Sequence, residues 1–225
     1  MNGLTQSPAH HIPDVVLMDY AAGNMQEALS LLVATHLAMC PACREELREI
    51  ELIGGALLQE MDTAAVVGEM PIGEPFTAAE MPTAKTTSDE PAALGSLSIL
   101  LPRPLRDYVG DDLSALDWRS GLRGVEECVL GSGPHGIKSA LLRIEPGRQM
   151  PNHTHMGEEY TLVLQGGFSD QGGSYLPGDV AVADPSVTHR PVADDHEPCL
   201  CLIATDAPLQ LTGPIGWLVN PFLRR

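Results

Sequence analysis

Aromatic side chains are scarce in this chain of 225 residues, of which Phe, Trp and Tyr make up only 4%. A packed core must therefore consist mainly of Leu, Val, Ile, Ala and Met. The sequence also lacks an apolar run of about 18 residues, the length that a membrane-spanning helix needs. Residues 1–14 lack the basic start and the apolar stretch of a secretory signal. These absences predict a cytoplasmic protein.

Basic residues are few. The chain has 13 Lys and Arg against 30 Asp and Glu, which gives a net charge of −17. Binding to nucleic acid, a polyanion, normally requires clustered Lys and Arg. We therefore expect no direct contact with nucleic acid. The negative net charge favours a basic protein as the partner. The alternative is that the acidic side chains only keep the surface solvated and bind no partner.

The cysteines are odd in number, and two of them form a C-x-x-C motif. They are Cys40, Cys43, Cys128, Cys199 and Cys201. In a protein predicted to be cytosolic, this pattern argues against a disulfide framework and favours metal binding or redox chemistry.

The apolar pattern changes along the chain. Residues 12–61 have helical periodicity, whereas residues 62–98 are rich in Pro, Gly, Thr and Ala, with a short helix predicted near 77–81. From Leu101 onward, short apolar runs alternate with Gly, Pro and Asp turns, which predicts an antiparallel sandwich or barrel. The fold class is thus α+β and multidomain: a helical metal-binding domain 1–85, a linker 86–104 and a β domain 105–225.

The first candidate site is the motif H-x-x-x-C-x-x-C formed by His36, Cys40 and Cys43. Side chains four residues apart lie on one helix face, and Cys43 returns from the start of the next helix. Closed structural zinc sites need four thiolate or imidazole ligands, so the pair His10 and His11 must supply the fourth. A thioredoxin-type redox pair, or plain packing of His36 in the core, is the alternative.

The second candidate site contains His153, His155, Glu159 and His189, in segments that resemble the two sequence motifs of the cupin family. Because alternate residues of a strand share a face, the first three would all point into a barrel. Glu158 is the alternative carboxylate. Such ligands suit Zn, Fe, Mn, Ni or Cu. A polar surface turn and a metal-free cupin are the competing interpretations.

The remaining cysteines and histidines are predicted to have no direct chemical role. Cys199 and Cys201 share one strand face, which favours packing over redox or metal participation. Cys128 is predicted to be structural. His135 and His196 lie in loops and are predicted to be solvated.

The motif H-x-x-x-C-x-x-C after an upstream histidine resembles the zinc anti-sigma domain family. The runs DYAAG and ATHL-x-x-C-x-x-C within residues 10–60, and LPRPLRDY, HTH and GEEYTLVLQGGFSD within residues 101–225, resemble the ChrR-type anti-sigma factors. In that family the upstream ligand precedes the helical histidine by 25 residues. The resemblance therefore implies His11, which stands 25 residues before His36, and not His10.

The resemblance implies a regulator that is not an enzyme. Its helical domain, with zinc held by His11, His36, Cys40 and Cys43, would sequester an extracytoplasmic-function sigma factor. Its cupin, with zinc or another divalent transition metal held by His153, His155, Glu159 and His189, would relay oxidative stress of the singlet-oxygen or organic-peroxide type. The alternative is a dioxygenase-like cupin metalloenzyme with a zinc-binding appendage. The sequence is compatible with a dimer that forms through the cupin.

Overall fold

The structure, a computed structural model, describes residues 7–61, 101–132, 137–207 and 209–212. The predicted domain boundary at 85, most of the predicted linker and the short helix predicted near 77–81 lie outside these residues.

Three helices follow one another in the first described segment: α1 (Asp14–Ala21), α2 (Glu27–Met39) and α3 (Pro41–Glu60). α2 is apolar on nearly all sides, and its sequence, EALSLLVATHLAM, buries seven of its residues. A helix that is apolar all round is stable only when it is surrounded by protein. Accordingly, α2 lies between α1 and α3 on one side and the β-strands on the other.

α3 begins two residues earlier than the sequence pattern predicts, at Pro41 and not at about Cys43. Proline suits the first helical position, because its missing N–H would have no partner within the helix. The thiol sulfur of Cys40 caps the helix and accepts the backbone N–H of Cys43, with an N–S distance of 3.5 Å. This cap brings the two cysteines to one helix end.

The prediction that β structure begins at about Leu101 is wrong. A fourth helix, α4 (Arg103–Val109), and a 3₁₀ turn (Leu113–Ala115) precede the strands. Pro104 lies in the first turn of α4, where it is tolerated. The buried side chain of Leu105 holds this short helix against the core, and α4 packs on α2.

The rest of the described chain is β structure, as predicted. Its strands are β1 (Arg119–Ser120), β2 (Val125–Ser132), β3 (Lys138–Ile144), β4 (His153–His155), β5 (Glu159–Gln165), β6 (Phe168–Asp170), β7 (Gly173–Tyr175), β8 (Val180–Ala183), β9 (Thr188–His189), β10 (Val192–Ala193), β11 (Cys199–Thr205) and β12 (Leu209–Leu211).

The strands form three sheets, in the orders β1-β2-β3-β11-β5-β8, β10-β6-β7 and β12-β4-β9. All of the paired strands described run antiparallel. In β4 the two histidines are buried and the threonine between them is not, which is the alternation of a strand with one inner face. The fold is therefore a helical part followed by an antiparallel cupin-like part.

One hydrophobic core joins the two parts. It contains buried residues of the helices, such as Leu17 and Leu32, together with buried residues of the large sheet, such as Leu141, Leu162 and Leu202. Within the part of the chain that the structure describes, we find no helix of the length and apolarity needed to cross a membrane.

Candidate metal centres

The structure brings together four side chains of the helical part: His11, His36, Cys40 and Cys43. The donor atoms that they offer all lie within 4.8 Å of one another. His36 Nε2 lies 3.2 Å from the sulfur of Cys43, and His11 Nδ1 lies 3.3 Å from the sulfur of Cys40. Two thiols and two imidazoles are the donor set of a closed tetrahedral zinc site.

The donors of this group come from three places along the chain. His11 lies just before α1, His36 in the last turn of α2, Cys40 at the cap of α3 and Cys43 in the first turn of α3. A cation held there would therefore join the start of the chain to the junction of α2 and α3.

The protonation of the group suits a metal. His36 Nδ1 donates to the carbonyl oxygen of Gly178 over 2.8 Å, which leaves the Nε2 lone pair directed at the group. Burial lowers the pKa of His36, so its ring is neutral at pH 7. Burial also raises the pKa of the Cys43 thiol to about 12, so a cation that binds there must displace the thiol proton.

His10, the other candidate for the upstream ligand, lies outside the group. Its ring packs against the ring of Tyr175, with centroids 4.5 Å apart. Its neighbour His11 also approaches the sulfur of Cys43, at 3.5 Å. The described geometry thus favours His11 as the upstream ligand.

The second group of donors lies in the cupin-like part and comprises His153, His155 and His189. Strand β4 supplies the first two, and β9 supplies His189 directly opposite His153 in the antiparallel register. The Nε2 atom of His189 lies 3.0 Å from the Nε2 atoms of both other rings. Three imidazole nitrogens thus face one point.

The outer contacts of these rings indicate why a cation fits there. His153 Nδ1 donates to the carbonyl of Pro151 over 2.9 Å, and His189 Nδ1 donates to the carboxylate of Asp170 over 2.7 Å. When both rings are neutral, these partners leave an Nε2 lone pair on each ring, and a cation between the two atoms, which lie 3.0 Å apart, would stabilise that arrangement. Such outer partners orient metal-bound histidines in proteins.

His155 differs from the other two rings. Its Nδ1 atom is buried without a hydrogen-bond partner. Burial lowers its pKa to about 4, so the ring is neutral at pH 7 and one of its two nitrogens carries a lone pair that can bind a metal.

Glu159, the predicted carboxylate ligand, is not brought into the group. Its Oε2 atom lies 3.7 Å from His155 Nδ1, and its Oε1 atom accepts a hydrogen bond from Thr161. Burial raises its pKa to about 7. Glu158, the alternative, is exposed and accepts a hydrogen bond from the hydroxyl of Tyr160. The structure places Glu159 beside the group, and its role as a ligand stays a prediction.

Asp170, which the sequence analysis missed, is the buried carboxylate behind His189. It lies on β6, 19 residues before His189, and no spacing rule links two side chains on strands of different sheets. The aspartate stands in the segment GGFSDQGG, where the glycines indicate only a hairpin.

The remaining cysteines lie apart from both groups. Cys199 and Cys201 are buried side by side on β11, with their sulfur atoms 3.5 Å apart, in a small core that includes Val163 and Phe168. Cys128 belongs to the main core. His196 is exposed in a loop, and His135 lies outside the described residues.

Comparisons with known proteins give matches to a family model, to a curated relative and to solved structures. The family model of the ChrR cupin-like domain matches residues 108–208. The anti-sigma-E factor ChrR of Cereibacter sphaeroides is 40% identical over 215 residues, which span 96% of this chain and 98% of that relative. A crystal structure of Rhodobacter sphaeroides SigE in complex with the anti-sigma ChrR matches with a TM-score of 0.69 and 35% identity, over 88% of this chain and 99% of that chain.

An RmlC-like cupin protein from Ralstonia eutropha matches with a TM-score of 0.42 and 18% identity, over 46% of this chain and 71% of its own. The two ChrR matches, by contrast, each extend over more than four fifths of this chain, so they include the helical part as well as the cupin-like part.

Proposed function

Because this chain belongs to the family of ChrR-type anti-sigma factors, we propose that it binds an extracytoplasmic-function sigma factor through its helical part and keeps that factor from RNA polymerase. The chain is accordingly a regulator and not an enzyme. The complex that a similar chain forms with SigE supports a sigma factor as the partner.

The observation that carries this proposal is an apolar surface on the second half of α3, which we call the α3 patch. It consists of Leu52, Ile53, Leu57, Leu58 and Met61, which are 62 to 69% exposed. Large apolar side chains that cluster on a surface mark a protein-binding site. The same helix carries Cys40 and Cys43 at its start, so the metal group would fix the position of the patch.

The charge of the chain supports a basic protein partner. The first half of α3 presents acidic side chains, including the exposed Glu45 and Glu49, next to the α3 patch. An acidic rim beside an apolar centre attracts a basic surface and repels a polyanion. Direct contact with nucleic acid is therefore not part of the proposal.

The proposed metal of the helical group is zinc, since two thiols and two imidazoles form the donor set that Zn²⁺ prefers. The three imidazoles of the cupin-like part, with Glu159 as the proposed fourth ligand, suit zinc or another divalent transition metal. A bound cation would supply a positive charge that fixes these side chains in place.

The proposed signal is oxidative stress of the singlet-oxygen or organic-peroxide type, sensed in the cupin-like part of a cytoplasmic complex. A signal can release the sigma factor only if it changes the relative free energies of the bound and released states. The shared core and the contacts between the two parts provide a physical route for that change.

The test is co-expression of the full chain with candidate sigma factors, followed by size-exclusion chromatography and metal analysis. Wild type should form a stable complex that contains metal. The variant Leu57→Glu should bind at least tenfold more weakly, because an unpaired carboxylate is costly in an apolar interface. Treatment of the wild-type complex with a photosensitiser and light, or with an organic hydroperoxide, should release the sigma factor.

The matched control is Val129→Glu, since Val129 is a partly exposed apolar residue on β2, far along the chain from α3. This variant should retain the complex. The proposal fails if no sigma factor binds to wild type, or if both variants bind as tightly as wild type. The elution volume of the free chain also tests the predicted cupin-mediated dimer.

A further inference from the structure

The turn between β7 and β8 of the cupin-like part reaches across to the metal group of the helical part. The carbonyl oxygen of Gly178 in this turn accepts the Nδ1–H of His36 over 2.8 Å. The two residues are 142 positions apart in the chain. A ligand of the helical group is therefore oriented by the backbone of the other part.

Asp179, the next residue of the turn, holds the segment that precedes His11. Its Oδ1 atom accepts the backbone N–H groups of Ala9 and His10, over 2.6 and 2.9 Å. The backbone N–H of Val180 donates to the carbonyl of His10 over 3.1 Å. Asp179 is only 3% exposed, and hydrogen bonds that a carboxylate accepts from backbone N–H groups are charge-assisted, which makes them strong.

The turn itself is built for this close approach. Asp179 Oδ2 accepts the N–H of Leu176 and so closes the turn. Gly178 has a φ of +97°, which disfavours any other residue, and a Cβ there would lie 2.7 Å from the Cγ atom of Pro8. The turn and the N-terminal segment thus fit together with no space for a side chain between them.

The four donors of the helical group therefore depend on two different supports. Cys40 and Cys43 are positioned by the start of α3 itself. His36 and His11 are positioned in addition by the turn of the cupin-like part, through a ring nitrogen and through the preceding backbone.

We propose that Asp179 is a positioning residue for the helical metal group, and that the turn 177–180 forms part of the outer shell of that group. Loss of an outer-shell hydrogen bond typically lowers metal affinity by about 10- to 100-fold. Retention of the metal in the helical part then depends on docking of the cupin-like part. This inference deepens the regulation proposed above. Only its consequence rests on the proposed function, namely that undocking of the cupin-like part loosens the helical part that binds the sigma factor.

The experiment uses the full chain loaded with Co²⁺ and contains no sigma factor. Cobalt–thiolate bonds absorb in the near ultraviolet, and the cupin-like group has no sulfur donor, so this absorption reports the helical group alone. The rate at which the absorption disappears in excess chelator is measured for wild type, Asp179→Asn and Gly178→Ala. Cobalt that remains in the cupin-like group is measured by metal analysis of the same samples.

We expect the thiolate-bound cobalt to leave at least tenfold faster in both variants, while the cupin-like group keeps its cobalt. The matched control is Asp112→Asn, because Asp112, like Asp179, accepts a backbone N–H, that of Ser114, but takes no part in either donor group. It should behave as wild type.

An unchanged release rate in both variants would overturn the proposal. Parallel loss of cobalt from both groups in both variants would also overturn it, because Asp179 would then only help the chain to fold. Neither result depends on whether the chain binds a sigma factor, so failure of this inference and failure of the proposed function can be told apart.

Discussion

At the scale of single residues, the rings of two neighbouring histidines lie in different surroundings. His10 and His11 are adjacent, yet one ring packs on Tyr175 and the other faces the sulfur atoms of Cys40 and Cys43. Consecutive side chains of a non-helical segment point in different directions, so only one of the two can enter the group. Composition cannot distinguish them, and the resemblance to a family supplied the choice.

We predict that His11→Ala loses the metal of the helical group and that His10→Ala keeps it. Removal of one of four ligands lowers the affinity for zinc, whereas removal of the His10 ring leaves all four donors in place. The measurement is zinc content after dialysis against a weak chelator. Equal loss in the two variants would contradict the assignment of His11.

At the scale of secondary structure elements, α4 shows where sequence patterns fail. Its seven residues are too few for a helical period to stand out, and a helix of that length is not stable alone in water. It exists because Leu105 is buried against the core and because α2 lies beside it. Longer elements, such as α2 and α3, were predictable since their apolar patterns persist over three turns or more.

We predict that Leu105→Ala lowers the free energy of unfolding by about 2–5 kcal/mol, the usual cost of a cavity at a fully buried leucine. Urea unfolding of the metal-loaded chain, followed by circular dichroism, measures this loss. The control is Arg103→Ala on the same helix, whose side chain is largely exposed and should change stability by about 0.5 kcal/mol or less. A loss below about 1 kcal/mol for Leu105→Ala would mean that α4 is not docked on the core.

At the scale of the whole molecule, the helical and cupin-like parts are not independent. Their apolar residues form one core, and the turn at Gly178 binds both His36 and the N-terminal segment. This arrangement lets a change in one part alter the other, which a regulator requires.

We predict that the two parts unfold together in a single thermal transition when both metal groups are loaded. Removal of the metals should lower the midpoint by on the order of 10 °C, because a cation bound only to the folded state stabilises it by mass action. Calorimetry with and without a strong chelator tests both statements. Two separate transitions in the loaded chain would contradict a shared core.

Much of the molecule could be predicted from local patterns. The helix spacing of His36 and Cys40, the strand spacing of His153 and His155, and the change of apolar period near residue 100 each depend on a few adjacent residues. The α+β class follows from these patterns, and the structure confirms it.

The sequence by itself determined which residues could be metal donors, because donor chemistry and short spacings are local properties. Only the tertiary structure decided which partners orient those donors. Asp170 reaches His189 across strands of different sheets, and Gly178 reaches His36 from the other part of the molecule. Such contacts join residues far apart in the chain, so they exist only once the whole core has packed.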